Sequence, residues 1–305
     1  MATRFEVVLY GDNPVSLRAA GEEALDEIER LEAQLSLYRA SSEIAHVNAR
    51  AARESVRVSP SVFALLEQAR QLSEETEGAF DITVAPLVRC WGFMENRGHL
   101  PDESELAEAR ASVGMHLVEL DPANFTVRFK RPGVMLDLGA VGKGYAIERA
   151  VELLVEAGVS SALLHGGTST VFGLGHPPEA ESWTVALESP PRQGSDATSH
   201  KDSPLALVPL CNEALSVSAV WGRSFEHHGK LLGHVLDPRT GRPVQGVLLA
   251  AVVLPSATET DALSTALLIS GGDKIAGLRP GMRTLRLRES GNELVVEGQG
   301  IAAQL

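Results

Sequence analysis

The arrangement of strand-like segments in the second half of this chain constrains its fold more than any other feature. Six segments of this kind, most of them separated by glycine and proline clusters, follow one another between Ser161 and Leu236. They lack the regular alternation of strands and helices that builds a doubly wound parallel sheet. We therefore expect an α+β fold with a largely antiparallel sheet flanked by helices.

Helical patterns lie mainly outside this block of strands. Apolar residues recur at helical spacing in four segments and predict four helices, over 12–35, 62–72, 102–111 and 145–157. A short strand is predicted at Val134–Leu138. Ser256 and Glu259 fit a capping box for a helix over Ala262–Ile269, which follows a buried strand at Val247–Leu254.

The chain shows no composition break that would divide it. No linker and no repeat of about 20–50 residues is visible, so we expect a single domain over residues 1–305. The polar stretch 189–203 contains four serines, two prolines and one glycine, which predicts a mobile surface loop.

Charge and hydropathy exclude several classes of function. Lysine and arginine number 27 against 40 aspartates and glutamates, so the net charge is −13 and disfavours nucleic acid as a partner. No run reaches the roughly 18 apolar residues that a membrane span requires. The N-terminal segment MATRFEVVLYGD lacks the apolar region of a signal peptide, so we expect a cytoplasmic protein.

The first candidate site is DLGAVGKG at Asp137–Gly144, where a glycine-rich loop joins the predicted strand to a helix. Backbone N–H groups of such a loop can approach a phosphate closely, and Lys143 can add a positive charge. The order of residues differs from a Walker A loop and from GxGxxG. A glycine-rich turn required only for tight packing is the alternative.

The second candidate is TETDALSTAL at Thr258–Leu267. Asp261 and Thr265 are four residues apart, which places a carboxylate and a hydroxyl on one face of a helix. These hard oxygen ligands suit Mg²⁺, which is often completed by a substrate phosphate. A charge that merely stabilises the helix N-terminus is the alternative interpretation of Asp261.

Two further segments carry weaker signals. His234 precedes the turn DPRTG and could serve as a general base near neutral pH, although a lone histidine is more often structural. The apolar segment Gly78–Phe93 surrounds one acid, Asp81, and its aromatic residues could face a planar ring or simply fill the core.

Taken in order along the chain, these pieces resemble the ApbE family, the FAD:protein FMN transferases. The resemblance covers residues 1 to about 270. It rests on six segments, which are Met1-Ala2-Thr3, LSLYRASSEIAHVN (35–48), GAFDITVAPLVRCWGF (78–93), LDLGAVGKGYAIERA (136–150), GHVLDPRTGRPV (233–244) and ETDALSTAL (259–267).

The resemblance implies an Mg²⁺-dependent transferase that cleaves FAD, releases AMP and attaches FMN to a threonine or serine of an acceptor flavoprotein. It implies that His234 removes the proton from the acceptor hydroxyl and that Lys143, with the metal ion, offsets the charge on the phosphate and the leaving group. Metal ligands would be Asp261, Thr265 and the carbonyl of Ala140. The residues implied in FAD binding are Met1, Tyr38, Ala79, Phe80, Asp81, Asp137 and Lys143.

Three departures from the family pattern accompany this resemblance. Gly166-Gly167-Thr168, preceded by His165, stands where family members usually read G-G-[DN], and Ser216-Val217-Ser218-Ala219 stands where A-T-S-G is common. The usual lipoprotein leader is absent from this sequence. A flavin carrier without turnover and an FAD pyrophosphatase are the alternative functions, and flavin carriage alone would not need the Asp261 and Thr265 pair.

Overall fold

The helices of the chain vary from one turn to six. A computed structural model describes residues 3–95, 97–190, 204–227, 230–291 and 293–303. Met1 and residues 191–203 of the predicted surface loop therefore lie outside the described residues. The helices are α1 (Pro14–Leu35), α2 (Glu43–Arg50), α3 (Pro60–Glu75), α4 (Ala85–Cys90), α5 (Glu103–Arg110), α6 (Gly142–Glu156), α7 (Ala257–Ser270) and α8 (Asp273–Ala276).

The strands are β1 (Phe5–Tyr10), β2 (Val56–Arg57), β3 (Val118–Asp121), β4 (Thr126–Phe129), β5 (Ser161–Gly166), β6 (Thr170–Leu174), β7 (Trp183–Leu187), β8 (Ala206–Leu210), β9 (Glu213–Ala219), β10 (Ser224–His227), β11 (Lys230–Gly233), β12 (Val247–Leu254), β13 (Arg283–Ser290) and β14 (Glu293–Gln299). The main sheet has the order β1-β5-β6-β9-β12-β13-β14. Smaller sheets are β2-β4-β3, β7-β8 and β10-β11.

The pairing of these strands confirms the predicted α+β fold with a largely antiparallel sheet. Every ladder between the named strands is antiparallel. Helices α6 and α7 pack on one face of the main sheet, and α1 packs against α6. None of the helices in the described part of the chain combines the length and the apolar character that crossing a bilayer requires.

Strand β12 lies between two hydrophobic clusters. Ala250 and Val252 point into the cluster formed with the helices, whereas Ala251 and Val253 point into a second cluster that includes Trp183 of β7. A strand that is buried on both faces shows a continuous apolar run instead of an alternating one. This explains why Val247–Leu254 is apolar throughout and why its prediction as a buried strand is confirmed.

Residues 134–138 do not form the strand that the sequence predicts. Asn48 of α2 accepts a hydrogen bond from the N–H of Leu136 (2.7 Å) and donates one to its carbonyl (2.9 Å). The N–H of Asp137 donates to the carbonyl of Ile82 (2.7 Å). These contacts satisfy the backbone in place of a strand partner. The following helix begins at Gly142, three residues earlier than predicted, so Lys143 lies in its first turn.

Candidate active site

A cavity of about 1080 Å³ is lined by the first turn of α6, by Asp261 and Thr265 of α7, by β6 and β9, and by the residues that follow β11. Its volume lies near the upper end of the range of about 300–1,000 Å³ that is typical of small-molecule sites. It brings together most of the residues predicted from the sequence, namely Tyr38, Asp81, Asp137, Ala140, Lys143, His234, Asp261 and Thr265.

Gly144 determines how closely α6 approaches α7. A Cβ atom at this position would lie 2.0 Å from the carbonyl oxygen of Ala257 and 2.8 Å from Cβ of Asp261, so only glycine fits. The N–H of Gly144 donates to Oδ2 of Asp261 at 3.0 Å. Gly144 is therefore required for tight packing, and the same packing positions the Asp261 carboxylate.

The Asp261 carboxylate is almost fully buried but lies at the wall of the cavity. Its Oδ1 is 3.3 Å from Nζ of Lys143 and 3.4 Å from the hydroxyl of Thr170. The adjacent N-terminus of α6 adds a favourable dipole. All these contacts are longer than the roughly 2.7–2.9 Å of a tight charge-assisted hydrogen bond. Several long polar contacts thus stabilise the carboxylate, and no single strong hydrogen bond fixes it.

Thr265 lies one helical turn after Asp261 and also lines the cavity. Its hydroxyl donates to the carbonyl of Asp261 (3.3 Å) and lies 3.1 Å from the Ser218 hydroxyl. Among the described residues, no three side chains of the histidine, cysteine, aspartate or glutamate type converge on one point. A cation on this wall would therefore have fewer than three ligands of these types and would be completed by hydroxyl and carbonyl oxygens and by ligands from outside the chain.

His234 lines the same cavity, and the backbone carbonyl of Arg223 orients its imidazole ring. Its N–H donates to the carbonyl of Arg223 (2.9 Å), and its Nδ1 is 3.2 Å from that oxygen. Because a carbonyl only accepts, the contact favours the tautomer with hydrogen on Nδ1 and a free lone pair on Nε2. Burial lowers the pKa of His234, and the charges of Arg223 and Lys143 lower it further. The hydrogen bond to Arg223 opposes this shift.

Asp137 lies in the field of the same two positive charges. Burial raises the pKa of its carboxyl above the ordinary range, whereas the Gly139 N–H and the charges of Lys143 and Arg223 act in the opposite direction. The Gly139 N–H donates to Oδ1 of Asp137 at 2.8 Å. The charges of Lys143 and Arg223 therefore lower the pKa values of both Asp137 and His234, which line one cavity.

The Asp81 carboxylate organises the loop around it. Its Oδ1 accepts from the N–H of Thr83 (2.8 Å), and its Oδ2 accepts from the N–H of Met115 (3.1 Å) and the hydroxyl of Ser73 (3.3 Å). The side chains of Ala79 and Phe80 are buried in the hydrophobic core. The role of the 79–81 segment in FAD binding stays a prediction, and of its three residues Asp81 lines the cavity.

Residues in the segments that depart from the family pattern also line the cavity or lie behind it. His165 and Thr168 line the cavity. Ser216 is fully buried, lies 2.8 Å from the Thr260 hydroxyl and donates to that of Thr170 (3.4 Å), which in turn donates to Asp261. Ser216 thus adds a hydroxyl to the polar layer behind Asp261.

Sequence reasoning missed Arg223 and Thr170, and it named Ser218 only as part of the departure at Ser216–Ala219. Arg223 and Ser218 line the cavity, whereas Thr170 is buried behind it. No motif marks Arg223, which follows a Trp-Gly pair in a loop. Thr170 and Ser218 carry a weak signal, because each is a hydroxyl residue in a strand rich in apolar neighbours.

Tyr38 is 65% exposed and lies at the edge of the cavity.

The capping box predicted for α7 is half formed: Ser256 accepts from the N–H of Glu259 (3.2 Å). The Glu259 carboxylate binds Arg279 (2.9 Å) instead of returning to the cap residue, since the ion pair offers it a charged partner.

Comparison with known proteins gives a consistent result. The model of the ApbE family matches residues 1–283. A protein of Haemophilus influenzae named FAD:protein FMN transferase is 31% identical over 284 residues, covering 90% of this chain and 80% of that protein. The ApbE protein of Thermotoga maritima has a TM-score of 0.83 at 27% identity, with 96% of this chain and 92% of that chain covered. The apo flavinyl transferase ApbE of Pseudomonas stutzeri has a TM-score of 0.82 at 28% identity, covering 97% and 91%.

Proposed function

This chain belongs to the ApbE family, and we propose that it is an Mg²⁺-dependent FAD:protein FMN transferase whose acceptor is a threonine or serine of another protein. The observation that supports this most is that Lys143, Asp261 and His234 line one cavity, with Lys143 3.3 Å from Asp261 and its charge acting on His234. Because the cavity is lined by residues from Glu32 to Thr265, we propose that residues 1–305 act as one catalytic domain.

FAD would occupy the cavity with its diphosphate at the N-terminus of α6. Lys143 supplies the positive charge there, and the first turn of α6 supplies the helix dipole. Tyr38 at the cavity edge and Asp137 would contact other parts of the dinucleotide. Met1 is part of the same proposal, although it lies outside the described residues.

The residues at the Asp261 wall fit a magnesium ion. The carboxylate of Asp261, the hydroxyl of Thr265 and the carbonyl of Ala140 are hard oxygen donors of the kind this ion prefers. When bound, the ion offsets negative charge on the diphosphate and on the departing phosphate. A single protein carboxylate is sufficient for such a site because substrate phosphate and water complete the coordination.

The protein groups then divide the reaction between them. Nε2 of His234 accepts the proton of the acceptor hydroxyl while the hydroxyl oxygen forms a bond to the FMN-side phosphorus. The bond from that phosphorus to the bridging oxygen breaks, and AMP leaves with this oxygen. Lys143 stabilises the charge that develops on the phosphate oxygens. The lowered pKa of His234 keeps the imidazole neutral near pH 7, as a base requires.

The experiment that tests the proposal measures AMP release and flavin attachment together. The protein is incubated with FAD and Mg²⁺, with and without a protein acceptor that contains an exposed threonine or serine. Transfer predicts one FMN on the acceptor, detected by mass spectrometry, for each AMP released. Equal AMP release without any acceptor would indicate a pyrophosphatase, and FAD binding without AMP would indicate a flavin carrier.

A further inference from the structure

The ammonium group of Lys143 lies between the Asp261 carboxylate of the proposed cation site and the carbonyl of Gly139, the neighbour of Ala140. Its Nζ donates to the carbonyl of Gly139 at 3.2 Å and lies 3.3 Å from Oδ1 of Asp261. Gly139 directly precedes Ala140, whose carbonyl is a proposed metal ligand. The ammonium thus contacts the same carboxylate and the same turn that a magnesium ion would use.

We propose that Lys143 is an internal counter-ion, which neutralises Asp261 until a divalent cation and a diphosphate arrive together. This inference rests on the proposed function, because it takes Asp261 as the metal ligand. A buried carboxylate without a positive partner is costly, so an ammonium beside it stabilises the metal-free protein. The Lys143 side chain is 20% exposed to the cavity, so it can turn away from Asp261 without unfolding α6.

The distances agree with an exchangeable partner. Both contacts of Nζ exceed the roughly 2.7–2.9 Å of a tight charge-assisted hydrogen bond. A divalent cation at Asp261 would repel the ammonium, which would then move to a phosphate oxygen of the diphosphate. Arg223 also contributes positive charge to this wall. This charge makes it unfavourable for the Lys143 ammonium to stay beside a bound divalent cation without a negative partner.

Cooperative binding follows from this exchange. The cation binds Asp261 more easily when a diphosphate receives Lys143, and by thermodynamic reciprocity the diphosphate binds more tightly when the cation is present. A lysine that only binds phosphate would behave differently, because its removal would leave the affinity for the cation alone unchanged.

The test measures binding of Mn²⁺ alone to flavin-free protein by electron paramagnetic resonance, for wild type, Lys143→Met and Lys143→Arg. Removing the internal charge should tighten Mn²⁺ binding by about tenfold or more, whereas the Lys143→Arg variant, which retains the charge, should stay close to wild type. Adding ADP, with Mn²⁺ bound by ADP alone subtracted, should increase the Mn²⁺ affinity of wild type more than that of Lys143→Met.

An Asp261→Asn variant separates the two levels of the proposal. If this variant loses Mn²⁺ binding but Lys143→Met binds no tighter than wild type, the counter-ion role is wrong and the metal site stands. If Asp261→Asn binds Mn²⁺ as wild type does, the metal site itself is wrong, and the counter-ion role falls with it. Tighter binding by Lys143→Met together with loss in Asp261→Asn supports both.

Discussion

Two buried carboxylates face the same cavity and have different surroundings. Asp261 is 4% exposed and Asp81 is 8% exposed, so burial does not distinguish them. Asp81 accepts from two backbone N–H groups and from the hydroxyls of Ser73 and Thr83. Asp261 accepts from one backbone N–H and, at 3.4 Å, from the hydroxyl of Thr170, and its charged partner is the ammonium of Lys143, which can move.

This difference shows that the donors around a buried carboxylate indicate its role better than its burial does. Fixed backbone donors consume the hydrogen-bonding capacity of Asp81 and hold a loop in place. A removable cation leaves one side of Asp261 open to exchange with a ligand. The following predictions test whether the two acids differ in this way.

The largest effect is expected for Asp261→Asn. Loss of the carboxylate removes the cation site, so FAD cleavage should fall by about 10³-fold or more, because metal stabilisation of a transition state amounts to several kcal/mol. The melting temperature should change little, since Lys143 can turn into the cavity. Assays of AMP release and thermal unfolding check both, and wild-type AMP release in excess EDTA would contradict a metal requirement.

Replacing the proposed base should separate chemistry from binding. His234→Ala should lower transfer by about 10²–10⁴-fold, the range for a positioned acid or base, and leave FAD affinity nearly intact. His165→Ala, which removes another histidine of the cavity, is the matched control and should retain most of the transfer rate. A stable His234→Ala protein with wild-type transfer would remove this residue from the mechanism.

Lys143→Met should mainly affect FAD binding in the presence of Mg²⁺. Loss of a charged hydrogen bond to the diphosphate should cost about 1–3 kcal/mol of binding free energy. Calorimetric titration of FAD measures this, with Arg223→Met as a comparison for a neighbouring positive charge. Unchanged affinity and unchanged rate would mean that Lys143 does not contact the substrate.

Asp81→Asn should act on stability. Whichever way the new amide turns, its nitrogen faces the N–H of Thr83 or that of Met115, so a hydrogen bond is lost on one side. We expect a decrease of about 1–3 kcal/mol in the free energy of unfolding. Denaturant unfolding checks this. If the stability of Asp81→Asn equals that of wild type while activity disappears, the contrast with Asp261 is wrong.

The smallest effect concerns pH. Burial, Arg223 and Lys143 all lower the pKa of His234, so kcat/KM should decrease only as the pH falls below the ordinary histidine value of about 6.5. Removing a nearby positive charge with Arg223→Gln should move this decrease to higher pH. A profile of the variant that coincides with that of wild type would show that Arg223 does not influence the base.

Much of the fold could be predicted because periodicity and capping agree with packing in the long elements. The apolar face of α1 and the continuous run of β12 match their buried surroundings. Short elements could not be predicted, because they contain too few residues to show a period. Helix α4 spans only six residues within an apolar segment, where neither helical nor strand period is distinguishable.

Side-chain pairing with the backbone explains the wrong strand at Val134–Leu138. Asn48 is 88 residues away from Leu136 in sequence, and no local pattern shows that it satisfies this segment. The same limit applies to the site. Spacing on one helix predicted Asp261 and Thr265 together, whereas the approach of Lys143 to Asp261 depends on the α6–α7 contact at Gly144.

The most direct measurement is a crystal structure of His234→Ala protein with FAD and Mn²⁺, in which the slowed reaction preserves the substrate. The account predicts an anomalous Mn²⁺ signal that contacts the carboxylate of Asp261 and the hydroxyl of Thr265, with the Lys143 ammonium moved onto a diphosphate oxygen. A diphosphate bound elsewhere, or Mn²⁺ bound away from Asp261 while Lys143 keeps its contact with that carboxylate, would contradict it.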